Sequence, residues 1–105
     1  MMHFDILVHM YQDIKSPARD VERIQTGVRI EKRILKVMKA LAEYHDLTLG
    51  DLIEGIVLHA FEGKCAFGTE SLKRIAELKK IYDLGLDASA SHNLREHKAG
   101  KRKRA

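Results

Sequence analysis

Seven residues constrain this chain more than any others. From Ile24 to Ile30 the sequence alternates, with Ile24, Thr26, Val28 and Ile30 on one side and Gln25, Gly27 and Arg29 on the other. That is the period of a β-strand. The pattern stops at Glu31 and gives way to helical spacing on its C-terminal side. A single strand presents an unpaired edge, and the fold has to supply a partner for it.

Between Lys32 and His45, residues Ile34, Leu35, Met38, Leu41, Ala42 and His45 form an apolar stripe, while Lys32, Arg33, Lys36, Lys39 and Glu43 occupy the other side. This predicts an amphipathic helix. Thr48-Leu49-Gly50-Asp51 then sets a hydroxyl N-cap three residues before an acid, a box-like helix start. Leu52, Ile53, Ile56, Val57, Ala60 and Phe61 continue the second helix as a nearly unbroken apolar stripe, with Leu52, Ile56, Val57 and Phe61 as core residues, and Gly63 is its stop. A third helix is expected from a Thr69 cap to about Asp83, with Leu72, Ile75, Ala76, Lys79 and Tyr82 sharing a face that Leu78 and Ile81 broaden, and Gly85-Leu86 closing it. Towards the N-terminus, Phe4 to Tyr11 alternates like a strand but reads nearly as well as a short helix, and Ser16-Pro17 can open a short helical turn over Pro17 to Arg23.

One strand and two short helices barely enclose a core. The economical arrangement is a second copy, with two strands pairing antiparallel across a two-fold axis and the helices interlocking beneath them. Ile24, Thr26, Val28 and Ile30 would then face inward, and Gln25, Gly27 and Arg29 of both copies would face out.

Charge is distributed in blocks. Residues 23–39 carry Arg23, Arg29, Lys32, Arg33, Lys36 and Lys39 against Glu31 alone, and residues 92–105 carry Arg95, Lys98, Lys101, Arg102, Lys103 and Arg104 against Glu96 alone. Residues 40–91 are acidic, with nine acids against five bases. Two basic blocks around an acidic remainder suit a polyanionic partner.

Over Ile24 to about Glu62 the order of features resembles the ribbon-helix-helix family of DNA-binding proteins, which includes the methionine and Arc repressors. The features that carry the resemblance are the alternating strand ending at Arg29-Ile30, the Ile34, Met38, Leu41 stripe, and Thr48-Leu49-Gly50-Asp51-Leu52-Ile53 opening the second helix. The resemblance implies a mainly α fold: an intertwined homodimer with a two-stranded antiparallel ribbon, here with an additional C-terminal helix. It also implies that Gln25, Gly27 and Arg29 read bases in the major groove of double-stranded DNA, where arginine can bond guanine O6 and N7 and glutamine adenine N6 and N7. Phosphates are expected at Lys32 and Arg33 and at the second helix start, Thr48, Leu49 and Gly50. Two departures bear on this. Gly27 offers no side chain for reading, and Glu31 places an acid beside the DNA.

The expected organisation is an N-terminal extension (1–23), the ribbon-helix-helix domain (24–63), a C-terminal helical extension (64–87) and a disordered basic tail (88–105). In the tail, Lys98, Lys101, Arg102, Lys103 and Arg104 would form either a nonspecific DNA arm or an inert solubilising end. The expected function is a sequence-specific transcriptional repressor. The alternatives are an antitoxin-type protein whose 70–86 helix binds a partner protein and a structural dimer without DNA. Assembly beyond the dimer is left open. Cys65 is the lone cysteine, the six His are unfavourably spaced for a metal, and no phosphate loop or nucleophile elbow occurs. These features predict no enzyme, no metal and no cofactor. The short apolar start predicts no signal peptide or membrane span, and hence a cytoplasmic protein.

Overall fold

The computed structural model describes residues 18–97. Three α-helices follow an irregular leading segment: α1 (Lys32–Tyr44), α2 (Leu49–Phe61) and α3 (Thr69–Ile81), with a 3₁₀ turn at Ala88–Ala90. The central helix is α1, which packs against both α2 and α3, whereas those two make no close contact with each other.

The expected ribbon is not observed. Among the described residues there is no β-strand, and Ile24 to Ile30 lie in the irregular segment before α1. The ribbon-helix-helix fold with its two-stranded antiparallel ribbon is therefore corrected to a three-helix arrangement. The physical reason is that alternation is local, whereas a strand exists only through pairing, and this segment meets no second edge among the described residues. Ile24 is accordingly 79% exposed and Val28 74% exposed, although the alternation placed them in a core.

The helix starts follow from their caps. Thr48 caps α2 as expected, its hydroxyl oxygen accepting from the Asp51 amide at 3.1 Å. Glu31 caps α1: its carboxylate accepts from the Ile34 amide at 2.8 Å. For α3 the cap is Gly68, which makes no side-chain cap bond, and Thr69 is the first helical residue rather than the cap.

All three helices end in the same way. Leu47, Lys64 and Leu84 donate their amides back to Ala42, His59 and Lys79 at 2.8, 2.9 and 2.8 Å. Each end turns on a residue of positive φ: Asp46, Gly63 and Asp83. These are Schellman motifs. The third therefore falls at Asp83-Leu84, two residues ahead of the expected Gly85-Leu86 stop. Leu47 and Leu84 fold back onto the core, adding the hydrophobic contact that accompanies the motif.

The core is small. Val37, Leu41, Ala42, Leu52 and Leu78 are its buried hydrophobics, flanked by partly buried Met38, Tyr44, Ile56, Phe67, Ile75 and Tyr82. On α3 the buried side runs through Ser71, Ile75, Leu78 and Tyr82; the last three belong to the expected face, whereas Leu72, Ala76 and Ile81 of that face are exposed and Ser71 joins it. On α2, Leu52 is buried, but Val57, Leu58 and Phe61 are exposed, Phe61 to 80%. The expectation that Val57 and Phe61 belong to the core is thus not met within one chain. Beyond Asp87, the 3₁₀ turn is held by the Asp87 carboxylate accepting from the Ser89 amide, so the expected disorder does not begin at residue 88.

Candidate nucleic-acid interface

The segment before α1 is fastened by side chains. Arg23 grips the first turns of α2: its Nε and Nη2 donate to the two oxygens of Glu54 at 2.8 Å each, and Nη2 reaches Asp51 at 3.2 Å. Arg29 makes a second fork, donating from Nε to Glu96 Oε1 at 3.0 Å and from Nη2 to Glu96 Oε2. Glu31 then enters α1 as its cap. Residues 23 to 31 therefore cross from α2 to the C-terminal segment to α1, anchored at three points.

These contacts set the local electrostatics. The hydrogen bond from Arg23 holds the Glu54 carboxyl below its ordinary value. Glu31 is likewise lowered, chiefly by the Ile34 amide and further by Arg33. The bond to Glu96 makes Arg29 hold its proton more firmly still.

The expected base readers Gln25, Gly27 and Arg29 are all exposed. A Cβ placed on Gly27 would meet nothing within 4 Å, so its small size serves no contact among the described residues. Lys32, Lys36 and Lys39 are exposed on α1, while Val37, Leu41 and Ala42 on other faces are buried. Spacings of four and three residues put the three ammonium groups on one ridge, with steps of about 6 and 4.5 Å along the axis. Glu43 ends that ridge with an acid.

Arg33 does different work from Lys32. Its Nη1 donates to the Asp83 carbonyl at 2.9 Å and its Nε to Glu31 at 3.2 Å. The side chain thus ties the start of α1 to the C-terminal end of α3, where a cation is favoured. At the start of α2, Thr48 and Gly50 are exposed and Leu49 is half-buried. Two carboxylates, Asp51 and Glu54, share the Arg23 guanidinium there, leaving the local side-chain balance negative.

The basic-arm residues Lys98, Lys101, Arg102, Lys103 and Arg104 lie outside the described residues, as do Phe4 to Tyr11 and Ser16-Pro17, while residues 18–23, the described part of the expected Pro17 to Arg23 turn, are irregular and not helical. Among the described residues, no three His, Cys, Asp or Glu side chains gather as a metal site, and no helix is long and apolar enough to cross a membrane. The forks at Arg23 and Arg29 are what sequence reasoning missed. They join residues 31 and 67 positions apart, and no local pattern marks such pairs. The chain matches no protein-family model, no curated protein and no solved structure.

Proposed function

We propose that this chain is a DNA-binding transcriptional regulator that acts in the cytoplasm as a repressor by occupying an operator. The observation that carries this reading is the exposed lysine ridge of α1, Lys32, Lys36 and Lys39, which continues from the exposed Gln25 and Arg29 segment. Duplex DNA carries roughly one negative charge per 1.7 Å of axis, so a row of ammonium groups meets a dense line of phosphates. Gln25 and Arg29 carry the hydrogen-bonding groups suited to adenine and guanine edges. The acidic bulk of residues 40–91 favours an orientation that turns this side to the duplex.

Two copies acting together is part of the proposal. The small core, with exposed Val57, Leu58 and Phe61 along one side of α2, leaves apolar surface that a second copy can cover. An antitoxin-type role for α3 draws less support, because Ile75, Leu78 and Tyr82 already pack into the core and, of the large hydrophobics on that helix, Leu72 and Ile81 alone stand exposed.

The test is selection of bound duplexes from a random-sequence pool, followed by electrophoretic binding of wild type and Arg29→Ala to the winners. An enriched sequence whose preference weakens in Arg29→Ala supports the reading. No enrichment, or unchanged affinity and selectivity in the variant, contradicts it.

A further inference from the structure

We propose that Glu96 is a tethered competitor for the Arg29 guanidinium, so that duplex binding must exchange an internal carboxylate for nucleic-acid oxygens. The inference rests on the DNA-binding reading above and adds a regulatory contact to it.

Both oxygens of Glu96 are engaged by the Nε and Nη2 edge of Arg29. A planar guanidinium uses such an edge to recognise paired acceptors, whether carboxylate, phosphate or base oxygen and nitrogen. With that edge filled, the carboxylate also sets a negative charge where duplex oxygens would enter. Both side chains are exposed, at 83% and 66%, so exchange needs no opening of the core.

The position of Glu96 in the chain supports the same conclusion. It is the sole acid among residues 92–105, with Arg95 and Lys98 close on either side. The segment with the bases that attract a duplex therefore also carries the acid that covers Arg29. Drawing those bases onto phosphates would pull Glu96 off Arg29, coupling nonspecific capture to release of the reader. The Arg23 fork differs, because its two carboxylates sit within α2 itself. It anchors the segment while the Arg29 contact opens.

The test is a four-protein cycle of full-length wild type, Glu96→Gln, Arg29→Ala and the double variant, titrated against a fluorescein-labelled mixed-sequence duplex. An exposed pair of this kind couples weakly, so Glu96→Gln is expected to raise affinity by up to about five-fold when Arg29 is present. In the Arg29→Ala background the same substitution should change little, and the Arg29 Nε–H resonance of the free protein should move in Glu96→Gln. An equal gain in both backgrounds would assign the effect to net charge and overturn the proposal. Duplex binding that Glu96→Gln leaves unchanged would overturn the competitor alone. Absence of binding by all four proteins would remove the DNA reading and the competitor with it.

Discussion

His45 Nε2 and Ser71 Oγ lie 3.0 Å apart across the α1–α3 contact, with the two residues only 3% and 2% exposed. Beside them the Arg74 guanidinium stacks over the Tyr44 ring at 4.4 Å. This polar contact fixes how α3 sits on α1, because apolar packing alone tolerates sliding while a buried hydrogen bond does not. Ser71→Ala should cost about 0.5–1.5 kcal/mol, read as a lower urea midpoint with an unchanged slope. No change in midpoint would mean that the bond makes no net contribution.

Phe61 and Leu41 make a contrasting pair. Leu41 is buried in the core, so Leu41→Ala should destabilise by about 2–5 kcal/mol at any protein concentration. Phe61 is exposed within one chain, where truncation costs no more than about 0.5 kcal/mol. If a second copy covers it, Phe61→Ala should lower Tm and abolish the dependence of Tm on concentration. Sedimentation of wild type as a monomer at every concentration would remove the dimer from the proposal.

The acid limb of stability should report Glu31 and Glu54. Both carboxyls titrate below their ordinary values when folded, so their contribution is present above the unfolded value and is lost as pH falls through the folded one. Replacing Glu31 with Ala removes the α1 cap, at about 1 kcal/mol near neutrality. The Tm difference between wild type and Glu31→Ala should shrink as pH drops through the carboxylate range. A difference that stays constant would show that the charge of Glu31 is irrelevant to its cap.

Helices were the legible part of this sequence, and the reason is that their determinants are local. The Lys32 start, the Thr48 cap and the Gly63 stop each depend on residues within one turn. Which side of α3 would be buried was less legible, since Ser71 joins the core through its bond to His45 rather than through hydrophobicity. The Ile24 to Ile30 alternation was clear as a pattern, but pairing depends on an edge that the pattern does not encode. For the candidate site, the lysines of α1 could be placed from helical spacing. The carboxylates that hold Arg23 and Arg29 could not, because they arrive from α2 and from residue 96.

Gly27 separates a contact within the chain from one outside it. A methyl group there meets open space, so Gly27→Ala should leave the melting curve within about 0.5 kcal/mol of wild type. If the backbone at Gly27 approaches a groove closely, the same substitution should weaken duplex binding at unchanged stability. Equal affinity of the two proteins would place Gly27 away from the interface.

DNA binding through the α1 ridge is tested by the salt dependence of duplex affinity for wild type and for a variant with Lys32, Lys36 and Lys39 all changed to Gln. Each phosphate contact contributes about 0.9 to the slope of log K against log salt concentration. The wild-type slope should be steep and the variant's slope smaller by roughly 2 to 3, with folding intact by circular dichroism. Equal slopes for the two proteins, or no binding by wild type even at low salt, would contradict binding through the ridge.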